Sequence, residues 1–373
     1  MSVLIAGGGR QARAIAHKFT EWEIPYIIIE RDGERVEELK KDGYSAIHGD
    51  ILKWKIPQSV NIIVSALPAH PGEKVYHLCI ENRMDLVDLS YTDFDPFTVE
   101  EKIKEAGIRV FFDTGVAPGL SNLLIGFLSK KLERVEKIRV LVGGIPEKNI
   151  PPLGYTITWS PSDLIEEYTR PARIKRDGKL LTVPPLTGIE KMYYEGVGRL
   201  EAFYTDGLRS LLHTYTDVPD MEEKTIRYPG HAQKMKFLMD MGFFDKEICN
   251  NKGVSPYMMN LCVLKERLNI DIKDLLLMIV EVEGTKNNKK SKHIATLLDR
   301  ADDEFSAMER TTGFSCAAFT RLMVEEKIEP GLYPPEKLHM FTKRVLSLLK
   351  EDGIKVILDA DQKVEAVLLI NEE

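Results

Sequence analysis

The sequence predicts an α/β protein: a doubly wound parallel sheet carrying an inserted α+β domain, whose own sheet is mixed and largely antiparallel. Three observations predict it. A short apolar run, Ser2–Ala6, leads through three glycines into a helical pattern. Apolar runs then alternate with helical stretches as far as residue 112, the rhythm of a parallel sheet. Past residue 122 the rhythm gives way to β-branched and aromatic runs, many of them alternating, which is how antiparallel strands look.

The opening glycines come first in order. Residues 3–16 spell VLIAGGGRQARAIA, and Ala12, Ile15, Ala16 and Phe19 recur at helical spacing. Strand, glycine loop and helix are the context that a dinucleotide fingerprint requires. Gly7, Gly9 and Ala12 fit G-x-G-x-x-G/A, in which the third position accepts alanine for close helix–strand packing. Gly7 allows the tight turn. Gly9 lets a pyrophosphate approach the backbone at the helix start, where Arg10 and Gln11 follow. This is a Rossmann-type signature.

A second strand over 25–29 ends in Glu30, 21 residues after Gly9 and close to the ~20 at which an acid bonds the adenosine ribose. A carboxylate there repels a 2′-phosphate and favours NAD, whereas Arg31 beside it leaves NADP possible. Further strands are predicted over 44–48, 61–66, 84–88 and 109–112, with helices over 73–82 and 98–106. Loops at strand C-termini face the ligand crevice, so Ala66, Leu67 and Pro68 are expected to border the cofactor. Asp50 either lies near the adenine or caps the segment after it.

After DTGVAPGLSN (113–122) a helix is predicted near Ser121, with Ser121 or Asn122 as cap. Strands follow over 137–142, 155–159, 190–194, 198–204, 225–228, 275–282 and 291–298. The basic run KNNKKSK (286–292) lacks interleaved aromatics and is expected to be a solvated hairpin tip. A helix over 334–349 and a strand over 354–358 are expected to return to the first domain. The expected boundaries are 1–122 for the dinucleotide-binding domain, 123–320 for a substrate-binding and dimerisation domain, and 321–373 for the return.

Composition narrows the function. With 373 residues, 43% hydrophobic and 29% charged, the chain has the make-up of a globular protein with two real cores. A formal net charge of −7 argues against nucleic acid or an anionic membrane surface as partner. No apolar run approaches the ~20 residues that span a bilayer. Met1 lies just ahead of the first strand, so no cleaved leader is expected. Cys79, Cys249, Cys262 and Cys316 form no C-x-x-C pair, and neither a metal site nor a disulfide framework is expected. A cytoplasmic protein with reduced thiols is the expectation.

Five phrases stand in order: DTGVAPGLSN (113–122), VGGIP (142–146), TWSPSDLIEEYTRPA (158–172), TIRYPGHAQKM (225–235) and RTTG (310–313). Together they resemble the saccharopine dehydrogenase-like family, from the first strand to about Pro335, and within it the lysine 6-dehydrogenase branch. The resemblance implies a homodimer and NAD-dependent oxidation of the L-lysine side-chain amine to the 6-semialdehyde, with release of ammonia. Saccharopine reductases of the family look like G-L-D-P-G where this chain has Gly115-Val116-Ala117-Pro118-Gly119, and carry a cysteine where it has Val142. Both groups capable of acid–base work are absent here. Two alternatives remain: a related oxidoreductase acting on another amino acid or an imine adduct, and a non-catalytic NAD(P)-binding sensor.

Hydride loss from a carbon bearing nitrogen requires a lone pair on that nitrogen, while free lysine is an ammonium with a pKa of about 10.4. A base must remove a proton first. Asp113, at a strand C-terminus, and His231 are the candidates, and Tyr91, past another strand end, is a third member of the catalytic set that would line the nicotinamide pocket. The substrate carboxylate calls for an arginine with paired donors. Arg227 is the choice, and the resemblance points the same way. Trp159 is the candidate flat wall for the lysine stem.

Overall fold

An apolar pentapeptide bounded by glycine extends rather than coils, and Ser2–Ala6 (β1) is a strand buried from Val3 onward. The computed structural model describes residues 2–69, 72–157, 161–247, 253, 255–358 and 367–369. Two units divide the chain: Met1–Phe127 with Glu309–Ile354, and Leu128–Met308 with Lys355–Glu373.

In the first unit β1 is followed by helix α1 (Arg10–Glu21), whose buried face carries Ala12, Ile15, Ala16 and Phe19. Then come β2 (Tyr26–Glu30) and α2 (Gly33–Lys41), whose start Asp32 caps by accepting the Glu34 and Arg35 N–H groups. They are followed by β3 (Ala46–His48), β4 (Val60–Ser65), α3 (Gly72–Asn82) and β5 (Asp85–Asp88). A 3₁₀ turn, Pro96–Val99, feeds α4 (Glu100–Ala106), which ends at Gly107 with φ 70°. β6 (Arg109–Phe111) and α5 (Leu120–Ser129) complete this leg.

The second unit is built on β7 (Arg134–Pro146), α6 (Pro161–Thr169), β8 (Ala172–Arg176), β9 (Lys179–Val183), β10 (Glu190–Tyr194) and β11 (Gly198–Tyr204). Next are α7 (Leu211–Thr214), β12 (Asp220–Arg227), α8 (His231–Asp240), α9 (Pro256–Leu268), β13 (Asp274–Lys286) and β14 (Lys289–Arg300). Asn287 and Asn288, at φ 51° and 58°, make the two-residue turn between β13 and β14. The basic run is thus an exposed hairpin tip, as its composition predicts.

A π-helical turn, Glu309–Gly313, opens the return and leads into α10 (Phe314–Glu325). Gly313 packs on α1 so closely that a Cβ would lie 2.6 Å from that of Ala14. β15 (Gly331–Tyr333), α11 (Thr342–Glu351), β16 (Val356–Leu358) and β17 (Val367–Leu369) close the order.

The first sheet runs β15-β6-β5-β4-β1-β2-β3 with every pair parallel. Its order reverses between β1 and β4, where a doubly wound sheet opens its ligand crevice. The second sheet runs β16-β14-β13-β7-β12-β11-β10-β17, with β8 and β9 branching from β12. Only the β7–β12 pair in it is parallel, among the described residues. The predicted α/β class, with a Rossmann-type parallel sheet and a mixed second sheet, is what the chain forms.

Three expectations fail at element level, the first at α5, which starts at Leu120 and so has Ser121 and Asn122 inside it rather than as its cap. No strand forms over 155–157: Ile157 N–H and the Thr156 hydroxyl donate to Leu268 O at 2.9 Å each, which ties the segment to the end of α9 instead of a sheet. The strand at 356–358 returns not to the first sheet but to the second, where Val356–Leu358 pairs with β14. The strand that does return is β15, beside β6, too short to show a period of its own.

Candidate active site

The glycine loop lies at the carboxyl end of β1, beside the tip of β4. Gly7 has φ 97°, and a Cβ there would stand 2.8 Å from Ala66 O, so only glycine lets the two loops meet. Gly9 N-caps α1 with no side chain, and a Cβ on it would touch nothing within 4 Å. Open space therefore lies beside Gly9 at the start of α1, whose first turn is Arg10, Gln11 and the buried Ala12, and where the helix field favours an anion. That is the shape a pyrophosphate needs.

Glu30 ends β2 and turns its carboxylate into this loop. Gly8 N–H donates to Oε2 at 2.5 Å and Asp32 N–H to Oε1 at 2.9 Å. Arg31 is exposed, and its carbonyl accepts from His48 Nε2 at 2.9 Å. Arg35, which sequence reading passed over, reaches the loop too: its Nε donates to Gly8 O at 2.8 Å. Asp50 accepts Leu52 N–H at 3.0 Å and so caps the turn that follows it. Leu67 and Pro68 follow Ala66 at the same carboxyl edge.

Asp113 and Tyr91 belong to that edge as well. Asp113 follows β6, is buried, and takes φ 54°, a left-handed conformation that an aspartate tolerates better than most residues. Behind it, Gly119 folds back so tightly that a Cβ would sit 1.9 Å from Gly115 O. Tyr91 is half-buried three residues past Asp88. Asp88 itself is fully enclosed, accepts Tyr76 Oη at 2.8 Å and Ser90 N–H at 3.0 Å, and has its pKa raised by burial.

The second unit gathers side chains instead. Arg227 ends β12 and is 3% exposed, so it is no surface arginine. Its Nη2 pairs with Glu167 Oε2 at 3.0 Å, its Nε donates to Tyr168 Oη at 3.3 Å, and its Nη1 donates to Ile226 O at 2.9 Å. The guanidinium lies 4.6 Å from the centre of the Tyr155 ring. Burial works against its charge, but Tyr168, Glu167 and Tyr155 around it raise its pKa above even the usual arginine value.

His231 opens α8 after Gly230, with Nδ1 2.9 Å from Leu153 O and Nε2 2.9 Å from Tyr168 Oη. A carbonyl only accepts, so Nδ1 carries the proton and Nε2 receives the Tyr168 hydroxyl. Burial, and then the Arg227 charge, push the imidazole down to about 3. The titration near neutrality that a histidine suggests is therefore lost: its lone pair is engaged and its charged form is desolvated. His231 holds Tyr168, and Tyr168 holds Arg227.

The structure thus brings Arg227 and His231 together through Tyr168, and lines up Gly7, Gly9, Glu30, Ala66, Tyr91 and Asp113 along one sheet edge. Trp159 and Cys249 lie outside the described residues. Sequence reading missed Glu167, Tyr168, Tyr155 and Glu223. Glu167 and Tyr168 sit inside the phrase TWSPSDLIEEYTRPA, which is the one signal that could have found them. Among the described residues no group of His, Cys, Asp or Glu could hold a metal ion, and no helix is long and apolar enough to cross a membrane.

Residues 115–354 match the Saccharopine dehydrogenase C-terminal domain family, and residues 3–62 match the TrkA-N domain. The chain is 23% identical over 398 residues to an α-aminoadipic semialdehyde synthase of Arabidopsis thaliana, a match covering 82% of this chain and 37% of that protein. It is 27% identical over 243 residues to the saccharopine dehydrogenase [NADP(+), L-glutamate-forming] of Saccharomyces cerevisiae, covering 59% and 54%. It therefore spans about a third to a half of these relatives' length. The structure of the apo saccharopine dehydrogenase (L-Glu forming) from S. cerevisiae superposes with a TM-score of 0.79 at 19% identity, over 96% of this chain and all of that one, which shows a shared fold. With the TrkA-N match, the glycine cradle makes the first unit an NAD(P)-binding unit.

Proposed function

This chain belongs to the saccharopine dehydrogenase family, and from that premise we propose that it is an NAD-dependent L-lysine 6-dehydrogenase. The reaction takes lysine, NAD⁺ and water to the 6-semialdehyde, an ammonium ion, NADH and a proton. One observation carries the reading. Val142, on β7, stands directly opposite Thr225 on β12, at the side of the Arg227–Glu167 pair. The resemblance puts a cysteine there in saccharopine-reducing relatives, and an apolar valine in that place supports a different substrate.

NAD supplies the hydride acceptor. Glu30 would accept from the ribose hydroxyls, and the N–H groups at the start of α1 would face the pyrophosphate. Arg227 would grip the substrate carboxylate with the hydrogens its two Nη atoms still have to give, held in plane by Glu167 and Tyr168. Asp113 would take the proton from the side-chain ammonium, and Tyr91 would border the nicotinamide. His231 serves as support for Tyr168 rather than as the base. The resemblance also supports a homodimer.

The test is NADH formation by the purified chain offered L-lysine, saccharopine, ornithine and 2,6-diaminopimelate in turn. Lysine should give the highest kcat/KM. Turnover of saccharopine without turnover of lysine would reject the proposal.

A further inference from the structure

On the face of β12 that carries Arg227, polar contacts run in a line away from the clamp. Glu223 Oε2 lies 2.9 Å from Thr205 Oγ1, which lies 3.0 Å from Thr225 Oγ1, which in turn lies 2.7 Å from Glu167 Oε1. Glu167 Oε2 then meets Arg227 Nη2. Three oxygen–oxygen contacts need three protons, and each threonine hydroxyl supplies one. The third must come from a carboxyl group at one end. Glu167 accepts from the Arg227 guanidinium through Oε2, which makes it the acceptor end of the line. Glu223 is buried and faces two acidic groups, Glu167 from α6 and Asp206 from the loop after β11. Asp206 is paired with Arg173 of β8 at 2.9 Å, and the Gly207 N–H donates to the Glu223 carboxyl group, which can receive it while keeping a proton. The third proton therefore sits on Glu223.

We infer that Glu223 is protonated at neutral pH and acts as a positioning residue for Arg227. Its hydroxyl donates to Thr205, Thr205 donates to Thr225, and Thr225 donates to Glu167, so every contact in the line is satisfied in one direction. Glu167 is held against Arg227 as a result. Burial pushes the Glu223 carboxyl up to about 8, in keeping with this. Gly207 makes the space: a Cβ there would come 2.1 Å from Glu223 Oε2. When Glu223 ionises, Thr205 turns to donate to it. Thr225 can then satisfy Thr205 or Glu167 but not both, and the support of the clamp loses one hydrogen bond. The consequence for catalysis rests on the reading that Arg227 takes the substrate carboxylate.

Glu223→Gln tests it, since glutamine keeps the shape and a neutral donor while abolishing the titration. A carboxyl whose pKa is raised on folding keeps its proton from about pH 4.5 to 8, where the unfolded chain has lost it. Wild-type stability should fall as pH rises through that window and level off above it. The Tm of the wild type should therefore drop by a few degrees relative to Glu223→Gln between pH 5.5 and 8.5. The KM for lysine should rise roughly three- to tenfold from pH 7.5 to 9 in the wild type, with kcat nearly constant, and stay flat in Glu223→Gln. Thr205→Val, which cuts the line in the middle, should show the raised KM at every pH.

A Tm gap that does not change with pH would mean that Glu223 is ionised throughout, and would overturn the assignment. So would a Glu223→Gln protein less stable than the wild type at every pH. A pH-dependent gap in a protein that oxidises no amino acid would support the proton assignment and reject the lysine reading instead.

Discussion

The two units build their candidate sites from opposite materials. At the carboxyl edge of the first sheet the parts are backbone: the turn at Gly7, the bare cap at Gly9, the Gly8 N–H given to Glu30 and the close pass of Ala66. Around the end of β12 they are side chains, drawn from α6, the loop after β11, β12 and α8, and hydrogen-bonded one to the next around the Arg227–Glu167 ion pair. The difference teaches what each site can tolerate. A cradle of N–H groups depends on the absence of atoms and is spoiled by adding one. A buried ionic cluster depends on every member keeping its partner, because a desolvated charge left alone is costly.

The sharpest way to break this contrast is Arg227→Lys. Charge is kept but the paired donors are lost, and a hydrogen bond to a charged partner is worth roughly 1.5–3 kcal/mol. The kcat/KM for lysine should fall by about ten- to a hundredfold, with NAD affinity unchanged. Cadaverine, which lacks the carboxylate, should be a poor substrate for the wild type and no worse for the variant. Intact lysine turnover, or weakened NAD binding, would show that the side-chain cluster is not the carboxylate clamp; Arg199, Arg209 and Arg310 would then come next.

Gly7→Ala probes the other side with the addition of a single methyl. It meets Ala66 O at 2.8 Å and forces alanine to φ 97°. NAD titration should show affinity lowered by about tenfold through displacement of the loop, a cost near 1.4 kcal/mol. Unfolding of the second unit should not shift. Equal binding of NAD by variant and wild type would remove the cradle from the cofactor site.

Glu30→Ala should have the smallest effect. The wild type should bind NAD more tightly than NADP, and the variant should narrow that ratio by roughly three- to tenfold, about the value of one hydrogen bond with a carboxylate. Because Glu30 also receives Gly8 N–H, some loss of affinity for both cofactors is expected. A wild type that prefers NADP would place control of the pocket with Arg31 or Arg35 instead.

The first site was legible in the sequence because its geometry is local. Gly7, Gly9 and Ala12 lie within six positions, and the strand before them and helix after them come from short-range patterning. Glu30 is reached by a single count along the chain. The parallel order of the first sheet follows from the same alternation, and the exposed tip at Asn287 and Asn288 from composition and turn chemistry.

What the sequence determined by itself was therefore the fold class, the NAD(P)-binding character of the first unit and a candidate arginine. Tertiary structure decided the rest. It turned His231 from a titrating group into a neutral acceptor for Tyr168, since only packing removes water from an imidazole. It sent the strand at 356–358 to β14, where Ile357 pairs with Thr296, 61 residues earlier. It set Glu167, Thr205, Glu223 and Thr225 in one line, although 58 positions separate Glu167 from Thr225. Desolvation and hydrogen-bond direction depend on which atoms surround a group, and a chain has no surroundings until it folds.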